Sequence, residues 1–187
     1  VHQYTNKYCI YGINLLFIFQ FFYLLTLKCH SPPWRPPPGG PAAPRAHRRY
    51  GTTACLPTLI TDTREQMRNA IAAARSVAGR DGVLGLHLEG PFISPEALGA
   101  QPPFAIAPDI ALLEELATLA PIRVATYAPE IDSDGELLAA FRRLGVRAQI
   151  GHTTCDYAQA RAALAGGAAG FTHLYNAMSR LHHRAAG

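Results

Sequence analysis

Three polar side chains interrupt apolar runs in this 187-residue chain, and their types suit metal chemistry. Glu89 closes the run VLGLHLE, His152 follows VRAQIG, and His173 sits near the end of AGFTHL. One carboxylate and two imidazoles are a ligand set for Zn2+ or a similar divalent ion, and an open coordination position lets such an ion activate water. Each residue has a plainer use when taken alone. A strand-end histidine is commonly packed or exposed with no ligand role, and Glu89 could pair with a cation on a covering helix. Three of them at equivalent strand ends favour the metal. His87, two residues before Glu89 and on the same face of the strand, is a weaker ligand candidate.

The elements that must position these residues alternate. ACLPTLI (54–60) reads as a buried strand, and 64–78 as an amphipathic helix stopped by Gly79. Strands follow at 83–89, 122–128, 146–150 and 169–174, separated by helices over DIALLEELATLA, 134–144 and 156–164. Five strands with four intervening helices imply parallel pairing through crossovers, which both an open doubly wound sheet and a barrel segment satisfy. The chemistry separates the two. Glu89, His152 and His173 all fall at carboxyl ends, which converge on one mouth in a barrel and splay apart in an open sheet. No G-x-G-x-x-G or Walker-type loop supports a nucleotide-binding sheet. A complete (β/α)8 barrel needs about 250 residues, so the expectation is α/β, a partial barrel of about five of eight strands.

The chain is composed of two unlike parts. Both lysines, Lys7 and Lys28, precede Arg35, and the first alanine is Ala42. Six basic residues and no acid occur through Ile60, while the remainder carries eleven arginines against thirteen acids. The net charge of +4 therefore belongs to the leading segment, and a nucleic-acid role for the main body loses its motive. Residues 1–30 are an apolar leader whose uncharged run over 8–27 is long enough for a transmembrane or signal-like helix, although Asn14 and Gln20 interrupt it. Residues 31–44, SPPWRPPPGGPAAP, read as an extended linker, leaving 45–187 as the folded body. Cys9, Cys29, Cys55 and Cys155 show no paired spacing, so reduced thiols and a cytoplasmic setting are expected, with membrane association only through residues 8–27.

Around the candidate ligands the sequence becomes specific. The segments RRYGTTACLPTLIT, GLHLEGPFISPEALGAQ, APE, GHTTCDYAQA and THLYNAMSRLHHR, in this order and with fitting gaps, resemble the N-acetylglucosamine-6-phosphate deacetylases of the amidohydrolase superfamily over roughly 45–187. The resemblance implies metal-assisted hydrolysis of an amino-sugar phosphate, with Glu89, His152 and His173 as ligands of a divalent metal, Zn2+ above others. Phosphate and sugar contacts then fall on Asn176, the backbone of Ala177 and Arg184, whose planar guanidinium suits phosphate oxygens. Gln101 stands where many relatives have a substrate-facing histidine, so it can hydrogen-bond but not transfer a proton. Ala185 replaces an acid common after the arginine.

The resemblance also implies a homodimer and no nucleic-acid partner. It places a general acid/base aspartate and a carbonyl-polarising histidine outside the matched stretch, so no useful turnover is expected of these 187 residues alone. Two other readings remain: a non-catalytic, membrane-tethered fragment, or another metal-dependent amidohydrolase with a different acylated substrate.

Overall fold

A computed structural model describes residues 23–26 and 49–184. The rest of the apolar leader, the proline-rich linker 31–44 and Ala185 lie outside the described residues. Five strands form one sheet in the order β1 (Tyr23–Thr26), β2 (Cys55–Ile60), β3 (Leu86–Glu89), β4 (Ile122–Tyr127) and β5 (Arg147–Ile150), and every pairing is parallel. A doubly wound sheet reverses its strand order at a switch point, whereas this one advances in a single direction, as an arc of barrel wall does.

Four helices fill the connections after β2: α1 (Arg64–Ala74), α2 (Ile110–Leu119), α3 (Glu136–Arg143) and α4 (Tyr157–Gly166). Their starts follow local chemistry. Thr63, Asp109 and Asp156 each accept a bond from a first-turn amide, and Asp156 with Gln159 completes a capping box. Asp132 instead reaches forward, its two carboxylate oxygens accepting from the amides of Leu137 and Leu138 at 2.9 Å each.

Two stretches differ from the sequence reading. Residues 23–26, inside the uncharged run long enough for a membrane helix, are extended and pair with β2 from Tyr23↔Cys55 to Thr26↔Thr58. The edge of β2 carries backbone groups that this short extended segment satisfies. No helix among the described residues is long and apolar enough to cross a membrane. The strand expected over 169–174 contracts to one bridge between Ile150 and Phe171, flanked by bonds from Ala169 N to Ala148 O at 2.7 Å and Thr172 N to Ile150 O at 2.8 Å. His173, with φ of 35°, turns the chain out of the extended region there.

The two faces of the sheet differ in kind. Leu86 and Leu88 of β3, Ala125 and Tyr127 of β4, and Ala148 and Ile150 of β5 join Met67, Ile71, Leu112, Leu113, Leu116, Leu137 and Phe141 in one core between sheet and helices. The alternate positions face the other way, and there His87, Glu89 and Thr126 are buried polar residues. Phe141 is fully buried and its ring meets those of Tyr127 and Phe92 at centroid separations of 5.8 and 6.5 Å. Phe141→Ala is expected to cost about 3–5 kcal/mol, read as a lower urea midpoint at unchanged slope.

Candidate metal centre

Glu89 is the last residue of β3, and the chain must turn at once to clear the sheet. Gly90 does this with φ of 95°, and a Cβ there would lie 2.0 Å from Thr61 Oγ1. Beyond β5, Gly151 lets the backbone pass close to its neighbours, since a Cβ would meet Thr126 Cγ2 at 2.7 Å and Thr172 Cβ at 3.0 Å. His152 follows with φ of 50°, so both histidines of the expected ligand set occupy the left-handed region. Such conformations cost about 1–3 kcal/mol each and persist only where surrounding bonds hold them. For His152 those bonds run from Ser94 N to His152 O at 2.8 Å and from Thr153 N to Ala177 O at 3.1 Å.

The three residues meet. His152 Nε2 lies 2.8 Å and His173 Nε2 3.2 Å from Glu89 Oε1, and the two Nε2 atoms are 3.1 Å apart. Glu89 and His152 are 6% and 4% exposed, whereas the His173 side chain is 36% exposed, so the cluster opens on one side.

The opposite ring nitrogens decide what the cluster can hold. His152 Nδ1 lies 2.9 Å from the carbonyl of Ala97, and His173 Nδ1 3.0 Å from that of Asn176. A carbonyl only accepts, so both Nδ1 atoms carry hydrogen and donate. In the neutral rings each Nε2 then presents a bare lone pair to a carboxylate oxygen and to the other lone pair, an arrangement that repels itself unless a cation sits between them. Extra protons on the rings or a metal ion would serve, and an ion about 2 Å from all three atoms fits a triangle of this size. Glu89, His152 and His173 can therefore hold a metal ion.

The electrostatics follow. Burial pushes the Glu89 carboxyl upward, but hydrogen bonds from His152 and His173 overcome it and hold the group well below the usual carboxylate range. Burial pushes His173 downward, and its bond to Glu89 more than reverses this, leaving it above 6.5. His87 stays outside the cluster. It is fully buried between Thr58 Oγ1 at 3.1 Å and Thr126 Oγ1 at 2.7 Å, and burial lowers it to about 4, so the weaker ligand candidate is a neutral interior residue.

Gln101 reaches the cluster from the loop after β3. Its Oε1 accepts from Thr61 N at 2.8 Å, and its Nε2 lies 3.5 Å from His152 Nε2. Asn176 and Ala177 occupy the turn after His173, where the Asn176 side chain is exposed and Ala177 has φ of 49°. Arg184 is exposed, with its backbone amide bonded to His182 Nδ1 rather than drawn into the cluster.

One contributor escaped sequence reasoning. Glu130, in the APE segment after β4, accepts from Thr153 Oγ1, from Thr154 N at 2.6 Å and from Thr154 Oγ1 at 3.0 Å, clamping the loop that carries His152. Its position just past a strand end, like those of Glu89 and His152, was the available signal.

Sheet and cluster together define a parallel α/β wall with, at its strand ends, three residues that could hold a metal ion. No family profile matches the chain. Curated relatives and structural neighbours include N-acetylglucosamine-6-phosphate deacetylases, the Bacillus subtilis one matching 73% of the chain. The Bacillus subtilis enzyme of that name is 40% identical over 148 residues, and the Rattus norvegicus enzyme 38% identical over 143. An N-acetylgalactosamine-6-phosphate deacetylase of a Shewanella species is 40% identical over 151 residues. A Mycobacterium smegmatis N-acetylglucosamine-6-phosphate deacetylase structure superposes with a TM-score of 0.71 at 34% identity, covering 78% of this chain and 39% of that one. The chain spans 37% of the length of the Bacillus subtilis relative and 35% of the rat one.

Two outcomes follow from this geometry. The His173 pKa lies above 6.5, so the proton that Glu89 stabilises there is present below that value and lost as pH rises through the raised one. A metal ion competes with that proton, so affinity should rise with pH over the same interval, with more protons released per ion at pH 6.5 than at pH 8.5. Zn2+ calorimetry in two buffers of different ionisation enthalpy measures this, and an equal count at both pH values would contradict it. Glu130→Gln sets an amide nitrogen against the Thr153–Thr154 donors, and is expected to cost about 1–3 kcal/mol in thermal denaturation.

Proposed function

We propose that the described body is the metal-holding part of an N-acetylglucosamine-6-phosphate deacetylase, which hydrolyses the acetamide to acetate and glucosamine 6-phosphate. The observation that carries this reading is the convergence of Glu89 Oε1 with the two Nε2 atoms, whose lone pairs are directed inward by the committed Nδ1 hydrogens. The name borne by the Bacillus subtilis and rat relatives suggests the substrate, and the galactosamine-6-phosphate enzymes among the relatives name its epimer as the competitor.

A bound divalent ion, Zn2+ by the mixed nitrogen and oxygen character of its ligands, supplies Lewis acidity and lowers the pKa of its water to about 7. The chain's own residues do the rest of the positioning. Carbonyls of Ala97 and Asn176 fix the tautomer of both histidines, so that neither ring can rotate its Nε2 away without losing a bond. Gln101 has its oxygen occupied by Thr61, so its amide hydrogens face the cluster and can donate to a substrate oxygen. In this reading the exposed Asn176 amide, the Ala177 N–H and Arg184 receive the sugar and its phosphate. The proton for the departing amine comes from an aspartate in the part of the relatives that this chain does not span.

A chimera tests the proposal. Residues 49–184 replace the matching segment of the Bacillus subtilis deacetylase, and acetate release is measured from N-acetylglucosamine 6-phosphate and its galactosamine epimer. Turnover is expected with the first substrate, and Glu89→Gln should lower it by more than about 100-fold. His173→Ala should strip bound zinc while Cys155→Ser leaves it. A folded, zinc-loaded chimera inactive on the glucosamine compound would overturn the assignment.

A further inference from the structure

The polar face of the sheet carries a hydrogen-bonded chain beneath the candidate metal centre. It links Thr58 of β2, His87 of β3, Thr126 of β4, Thr172 beside the Phe171 bridge, and Gln149 of β5, through contacts of 3.1, 2.7, 2.7 and 2.9 Å. Thr58, His87, Thr126 and Thr172 are buried, and no buried side-chain nitrogen or oxygen among the described residues lacks a partner.

The direction of every bond in this chain follows from one end. Gln149 presents its amide oxygen, which only accepts, so Thr172 spends its hydroxyl hydrogen there. Thr172 can then only accept from Thr126, and Thr126, with its hydrogen spent, can only accept from His87 Nε2. His87 Nε2 therefore bears the hydrogen, and Nδ1 accepts from Thr58. A neutral imidazole satisfies both sides, and a doubly protonated one would set a donor against the hydroxyl hydrogen of Thr58.

Each metal-ligand candidate sits one or two residues from a member of this chain or directly follows a residue packed against it. Glu89 lies two residues beyond His87 on β3. His173 directly follows Thr172. His152 directly follows Gly151, which is lodged against Thr126 Cγ2 and Thr172 Cβ. We infer that the Thr58–His87–Thr126–Thr172–Gln149 chain is a positioning device, which holds the three strand ends at the mutual register that brings Glu89, His152 and His173 onto one ion. No member of the chain belongs to the candidate ligand set. This rests on the metal-centre reading above.

The test separates the hydrogen bonds from the packing. Thr126→Val keeps the branched shape against Gly151 and removes the hydroxyl, and Thr126→Ser keeps the hydroxyl and removes the methyl. Co2+ is titrated into the full chain and into each variant, with the visible d–d spectrum as readout and near-UV circular dichroism as the check of folding. Thr126→Val is expected to weaken Co2+ binding about 10- to 100-fold and to alter the band shape, with Thr126→Ser close to the parent. If Thr126→Val does not fold, Thr172→Val against Thr172→Ser decides by the same measurement. Parent-like affinity and spectrum in the valine variant, or equal loss in valine and serine variants, overturns the inference. Failure of the parent to bind Co2+, or equal binding by Glu89→Gln, would instead overturn the metal centre on which it rests.

Discussion

Two imidazole nitrogens and a carboxylate oxygen, held within 3.2 Å of one another, form an arrangement that electrostatics drives apart whenever both rings are neutral and no cation lies between them. The surrounding structure makes sense as the means of holding it. His152 and His173 both adopt left-handed backbone conformations, and each ring is pinned at Nδ1 by a carbonyl from a loop. A site that merely needed two histidines near an acid would relax into ordinary conformations. One that must present three donor atoms to a common point has to pay for strain, and the bonds donated by the Ser94 and Thr153 amides, with those that Glu130 accepts from Thr153 and Thr154, supply the restraint.

Sheet architecture decides why this is possible at all. A strand puts alternate residues on opposite faces, so the core can be filled from one side by Leu86, Leu88, Ala125, Tyr127, Ala148 and Ile150. The other side is left to His87, Glu89, Thr126 and Gln149. Parallel strands in sequential order then deliver their carboxyl ends to a common edge, where glycines at 90 and 151 let the backbone turn without a side chain in the way. The polar positions would cost several kcal/mol each if unpaired, and cross-strand bonding removes that penalty. The same bonds that satisfy the interior also tie together the segments that carry the ligands.

The chain that carries the Glu89–His152–His173 set is similar to amino-sugar-phosphate deacetylases over about three quarters of its length. The matched stretch is 37% of the length of the Bacillus subtilis relative and 35% of the rat one. Gln101 illustrates how far local geometry goes. Its oxygen accepts from Thr61 and its nitrogen lies on the cluster side, and an amide there can donate a hydrogen bond but cannot transfer a proton.

Much of this was legible in the residues. Period-3.6 and period-2 patterns placed the four helices and four of the strands to within a few residues, because apolar spacing records which face is buried. A carboxylate and two histidines at strand ends stood out because charge and imidazole break runs that burial otherwise keeps apolar. Other features depended on partners far apart in the chain. The strand at 23–26 is extended because β2 offers an edge, although its own composition equally suits a helix. The tail at 169–174 stays mostly outside regular strand because His173 must turn to reach Glu89, 84 residues earlier. Likewise His87, so placed that it could have been a ligand, was assigned to the interior by Thr58 and Thr126, which lie 29 residues before it and 39 after it. Composition and spacing report what a residue can do. Register, which is settled only when the strands pair, decides which neighbour it does it with.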